Sequence, residues 1–212
     1  MSVRLFPLAG IAFIGLLVAS LFVGGGTPDS GATVSEVASF YDDDLTRQYL
    51  SAFLLAAAAP FAVLFGVSLA DALSNGIRSG WGDVVRAGSI LAAGAVLLGA
   101  ALHIAVVDGG DQGISDAGLQ TLNTLDGNTW IGMTSAVGVL FLGAAGGMLS
   151  ACSHRVLSWS ALVLGIALFL PVLGLVAIIP SAVWIVAASV VFARGSETDE
   201  AAVDGRAVPT GA

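Results

Sequence analysis

A chain of 212 residues that is 57% hydrophobic and only 10% charged, with a mean hydropathy of +0.95, is not an ordinary soluble domain, because such domains carry about 25% charged residues. Its formal net charge is -8 and its basic residues include no lysine. That excludes a phosphate-binding nucleic-acid surface and a polybasic lipid patch, which both need clustered Lys and Arg.

The apolar residues gather into six runs, about 5–24, 49–70, 87–107, 130–151, 156–173 and 175–193. Each lies near the ~20 residues with which a helix crosses a bilayer. The expected fold is an all-α, polytopic transmembrane bundle of six helices with two short outer interfacial helices. The first run opens the chain as MSVRLFPLAGIAFIGLLVASLFVGGG. Its apolar region is longer than the 7–15 residues of a secretory signal. VAS at 18–20 is a poor cleavage site and no lipobox cysteine follows, so the run is read as an uncleaved span.

Between the first two runs, TVSEVASFYDDDLTRQYL contains the pattern T-x-x-E at Thr33 and Glu36. That is a capping box, in which each side chain bonds the other residue's free backbone N–H. Val34, Val37, Ala38 and Tyr41 follow on one helical face, so a short amphipathic helix is expected on the outer interface with Tyr41 at headgroup depth. Asp42, Asp43 and Asp44 end it. They are weak candidates for a metal site, but calcium loops want alternating oxygen ligands and a glycine. Asp44 reads instead as the N-cap of the second span, where a carboxylate meets the positive end of the helix dipole.

The second outer loop, VVDGGDQGISDAGLQTLNTLDGNTW, repeats this plan. Asp108 to Gly113 reads as a flexible turn, and Ser115 as the cap of a short helix carrying Leu119, Leu122 and Leu125. Asn128 or Thr129 would cap the fourth span, with Trp130 as an interfacial aromatic. The two hairpins form a weak internal repeat. Cys152, in SACSHR at the end of that span, permits no internal disulfide or cysteine zinc cluster, and reads as a small buried residue. The last stretch, VLSWSALVLGIALFLPVLGLVAIIPSAVWIVAASVVFA, is about twice a spanning length. It is expected to fold into a tight hairpin turning near Pro171, Gly174 or Pro180. The polar tail, 195–212, is expected to be disordered and cytoplasmic.

Arginine placement supports six spans. With a cytoplasmic N-terminus, Arg4, Arg78, Arg86, Arg155, Arg194 and Arg206 fall inside and only Arg47 outside, as the positive-inside rule requires. Five spans would move Arg194 and Arg206 outside. The outer face collects Asp29, Glu36, the aspartate triplet, Asp108, Asp111, Asp116 and Asp126. The expected location is the cell membrane, multi-pass, with both termini cytoplasmic.

No Asp, Glu, Lys or Arg lies near the middle of any run. A charge there costs at least ~2.5–3.5 kcal/mol and marks transport paths or proton relays. Asp71, at the inner end of the second span beside Asn75, comes closest and reads as a solvated helix end; the two are weak ligand-binding candidates. His103, about one turn from the outer end of the third span, is the third. It is expected to hydrogen-bond a neighbouring helix or the outer loop, with cofactor ligation or titration as the alternatives. His154, at the inner end of the fourth span, is too distant to share a haem or metal with it. There is no HExxH, phosphate-binding glycine loop or CxxC, so no catalytic residue and no cofactor is expected. Gly143 and Gly147 form GxxxG, and Ala95 with Gly99 a second small-residue pair; both read as bundle packing, with a homodimer seam as the alternative.

The glycine-rich first span, SEVASFYDDDLTRQYLSAFLL and RVLSWSALVLGIALFLP resemble a group of small uncharacterised six-span membrane proteins common in GC-rich microbial genomes. The resemblance covers residues 5–194. It implies the architecture and no activity. The function expected from the residues is non-enzymatic binding of a lipid, a hydrophobic small molecule or a partner membrane protein. The alternatives are a small permease or channel subunit, and an intramembrane enzyme or haem protein using His103. Besides the lipid bilayer, the partner classes left open are a second copy and another membrane protein.

Overall fold

A helix satisfies its backbone N–H groups within its own segment, which suits runs this apolar. The computed structural model describes residues 8–29, 31–74, 80–111 and 113–204, with the backbone alone at 110–111 and 195–204. Among the described residues there are seven helices and no strand: α1 (Ala9–Gly24), α2 (Val34–Asp42), α3 (Leu45–Ser74), α4 (Trp81–Asp111), α5 (Asp116–Ser150), α6 (Arg155–Ala167) and α7 (Pro171–Asp204). Four of these, α3, α4, α5 and α7, are long and apolar enough to cross a membrane, while α1 and α6 are shorter apolar helices.

α3, α4 and α5 pack antiparallel, with α4 in the middle; α1 lies on α3, α6 on α5, and α7 touches both α1 and α6. Glycine permits the closest approaches. A Cβ at Gly88 of α4 would collide with the backbone of Leu140 on α5, and one at Gly143 would fall 2.8 Å from the backbone nitrogen of Val85. Gly146 lies under the Trp81 ring and Gly147 against Leu73. The GxxxG pair therefore faces α3 and α4 inside the bundle, where small residues let backbones approach. Gly99 likewise faces Leu55 and Thr129. Phe13, Phe65, Leu69, Val96, Leu140, Phe141, Met148 and Trp184 fill the core. The Trp184 ring lies 4.6 Å from Phe141 and its Nε1 donates to the Leu157 carbonyl at 3.0 Å.

Several sequence expectations are corrected. The second outer helix is not separate: α5 runs unbroken from the Ser115 cap, where Ser115 Oγ accepts from Gly118 N. Asn128 and Thr129 cap nothing; their side chains donate back to the carbonyls of Thr124 and Asp126 one turn earlier. α4 continues to Asp111 through the region read as a flexible turn. Pro171 starts α7, Pro180 lies inside it, and the hairpin turns at 168–170. α7 also runs on through residues 195–204, part of the tail read as disordered, while 205–212 lie outside the described residues.

Cys152 is exposed, not buried. It closes α5 in the Schellman pattern: Ser153 N donates to Met148 O at 3.1 Å and Cys152 N to Leu149 O at 3.2 Å. The left-handed residue of that motif is usually glycine, but here it is Cys152, at φ 52.

Replacing it removes a Cβ clash worth roughly 1–2 kcal/mol, so Cys152→Gly is expected to raise stability against denaturant in detergent. Gly94, with nothing within 4 Å of a Cβ, should gain about 0.5–1 kcal/mol on Gly94→Ala. Gly88→Ala should lose about 1–3 kcal/mol through overpacking.

Candidate functional site

The loop after α1 and the short helix α2 cover one end of the bundle. Thr33 and Glu36 form the expected capping box: Thr33 N donates to Glu36 Oε2 at 2.8 Å and Glu36 N to Thr33 Oγ1 at 3.4 Å. Asp44 caps α3, its Oδ1 accepting from Arg47 N at 3.2 Å and its carbonyl from Gln48 N. Asp42, Asp43 and Asp44 are all exposed, and Asp43 caps the C-terminus of α2. Among the described residues no group of three or more His, Cys, Asp or Glu could hold a metal ion. The triplet is the junction of two helices.

Tyr41, expected at an exposed interfacial position, is buried inside the protein. It is 2% exposed and packs with Val37 against Val106, Val107 and Leu119 of α4 and α5. Beneath it lies a polar cluster drawn from four helices. His103 on α4 places Nδ1 3.0 Å from Asp126 Oδ2 on α5 and Nε2 3.1 Å from Gln48 Oε1 on α3. Gln48 Nε2 donates to the carbonyl of Gly24, the last residue of α1, at 3.3 Å. Tyr41 OH lies 3.4 Å from Asp126 Oδ2, and its ring meets the His103 ring edge-on at 5.6 Å. Asn123 Nδ2 donates to the carbonyls of Pro28 and Asp29, which pins the loop after α1 to α5. Nearby, Tyr49 OH donates to Asp108 Oδ1.

The cluster's electrostatics follow from these partners. The Gly24 carbonyl can only accept, so the Gln48 amide turns its oxygen towards His103, an assignment made from the hydrogen-bond network. Both imidazole nitrogens therefore have a side-chain partner, Asp126 at Nδ1 and Gln48 at Nε2. His103 and Asp126 thus form a buried side-chain pair, 8% and 9% exposed. Burial, with the Asp126 carboxylate beside it, pushes the Tyr41 phenol above its ordinary value of 10.0.

The other candidates lie elsewhere. Asp71 is exposed at the opposite end of the bundle, where its Oδ1 pairs with Arg86 at 2.6 Å; Arg86 also pairs with Asp83 at 3.0 Å. Such exposed pairs contribute about 0–1 kcal/mol. Asn75 lies outside the described residues. The His154 ring meets Phe192 at 5.5 Å, at that same opposite end. Sequence reasoning missed Gln48, Asn123 and Asp126. Asp126 lies at the α2 end with the other acidic residues of the outer loops, and its burial was readable from the helical face that Leu119, Leu122, Asn123 and Asp126 share at i, i+3, i+4 and i+7. Leu125, grouped with the two leucines, points outward.

Removing one partner of a buried hydrogen bond leaves the other unsatisfied, at about 1–3 kcal/mol. Asp126→Ala and His103→Ala are each expected to destabilise on that scale, and the double variant by less than their sum, read from thermal unfolding in detergent. Tyr41 stays neutral in the fold at a pH where the unfolded chain ionises it. Its share of stability is therefore complete below pH 10 and lost as the pH rises further; Tyr41→Phe should flatten that alkaline decline. No protein-family model, curated protein or solved structure matches this chain, so the cluster's role rests on its own geometry.

Proposed function

We propose that the chain is a multi-pass integral membrane protein with both termini on the cytoplasmic face, and that its role is non-enzymatic binding of a lipid, a hydrophobic small molecule or a partner membrane protein. One contrast carries this reading. The buried polar groups of the cluster are bonded to one another, while large apolar side chains point outward along α6 and α7: Val156, Trp159, Val163, Ile166, Val172, Val176, Ile179 and Val183. Contiguous apolar surface of that kind suits hydrocarbon or another apolar protein. The arginines support the orientation. Arg86 and Arg155 lie at the end away from α2, and Arg194 follows Phe192, which reaches His154 there. Arg47 lies at the α2 end, donating to the Val23 carbonyl. The resemblance to the small six-span group belongs to this reading.

The permease alternative draws on Ser181 Oγ, a buried hydroxyl without a hydrogen-bond partner. Against it, Ser89, Thr134 and Ser189 donate to carbonyls of their own helices and offer no continuous hydrated path.

Native mass spectrometry from lipid nanodiscs tests the binding reading. A lipid, small molecule or second protein should remain on the chain as collision energy rises. A bare chain that stays folded would overturn it. Replacing Asp42, Asp43 and Asp44 together by Asn should leave the retained molecule unchanged, since the triplet only joins two helices.

A further inference from the structure

We infer that α6 and α7 form a re-entrant hairpin, which enters the membrane from the cytoplasmic face, turns inside the bilayer over Leu168–Leu170 and leaves by the same face. The inference rests on the membrane reading above, with four full crossings and a hairpin in place of six crossings, and not on what the protein binds.

Depth can be read along α5. The Phe169 ring sits on Gly138, where a Cβ would fall 2.8 Å from Phe169 Cε2, and Gly165 packs against Leu142. α6 therefore runs antiparallel along α5 and ends level with Gly138. Tryptophans mark the two membrane interfaces. Trp81 covers Gly146, and Trp130 lies on α5 itself. Gly138 is eight residues from each level, about 12 Å either way at 1.5 Å per residue. The turn thus lies midway between the tryptophan levels.

α7 returns the way α6 came. Its Trp184 bonds the Leu157 carbonyl near the start of α6, and the Phe192 ring reaches His154 before it. The α5 stripe under α6 also changes character beyond the turn. Gly138 is buried, but Ile131 is 50% exposed and Asn128 is exposed. A hairpin that crossed fully would keep that stripe covered; this one leaves it to the acyl chains of the opposite leaflet.

The turn suits an apolar layer, where free backbone donors are costly. Leu168, Phe169 and Leu170 donate to Leu164, Ile166 and Ala167, Gly174 donates to Leu170, and Pro171 has no N–H to satisfy. α6, with 13 residues, extends only about 20 Å, short of the ~30 Å hydrocarbon layer.

The test is a nitroxide depth scan in a Cys152→Ser background, with single cysteines placed in turn at the exposed positions 156, 163, 170, 176 and 183, in the full chain reconstituted in bilayers. Collision with oxygen is compared with collision with a polar nickel chelate at each site. The expected profile has one maximum of relative oxygen access, at 170, falling towards 156 and 183. A minimum at 170 between maxima at 163 and 183 would mean two complete crossings and would overturn the hairpin. Nickel access at all five positions would overturn the membrane reading with it.

Discussion

A polar ring enclosed by helices must have both its nitrogens paired, and at His103 that requirement gathers the α2 end of the bundle. Asp126 answers one nitrogen and Gln48 the other; Gln48 is turned by the Gly24 carbonyl, and Asp126 is capped by Tyr41. The participants come from five helices, because each helix can bring only one or two polar side chains to a given depth. In a low-dielectric setting such a network is stable only when complete. The position of α2 follows from this. Its apolar face alone would hold it loosely on α4 and α5, but Tyr41 must lie over the carboxylate, so its place along and around the bundle is set.

The opposite half of the bundle is organised differently. There the helices meet through absent side chains: Gly88 against Leu140, Gly143 against Val85, Gly66 against Ser89. Small residues there let the backbones approach and pack closely. The two devices are complementary. Glycine contacts bring α3, α4 and α5 close without fixing register strongly, since a stripe of small residues tolerates sliding by a turn. The His103–Asp126 pair tolerates no such slide, because shifting α4 against α5 by one turn would separate the two side chains. Register is therefore set at one end and tight packing supplied at the other.

What was legible in the sequence was local. The capping box at Thr33, the cap at Asp44 and the cap at Ser115 depend on residues within three positions, and each is present. The apolar runs are helical for the same reason. Asp126 was harder to read, because TLDGNTW carries the residues of a helix start. In the fold, Asn128 and Thr129 satisfy themselves on carbonyls one turn back, a bonding mode open to these residues in mid-helix. Gly127 meets nothing and simply continues the helix. Cys152 was illegible for the converse reason: nothing in its side chain favours the left-handed conformation, which the close of α5 onto Met148 and Leu149 imposes.

The last hairpin shows where composition runs out. Three residues, Pro171, Gly174 and Pro180, were equally able to mark its turn. Proline at the first position of a helix loses nothing, since that N–H has no intrahelical acceptor, whereas proline in mid-helix removes a bond and crowds the preceding turn. Propensity alone would therefore end a helix before Pro180 as readily as it starts one at Pro171. Packing decides between them. Leu168 is buried and Phe169 rests on Gly138, so the chain reverses there. Once reversed, a second break at Pro180 would free more backbone groups than the single bond lost by running straight through. The helix continues, and Trp184, one turn further on, reaches back to the Leu157 carbonyl and closes the hairpin.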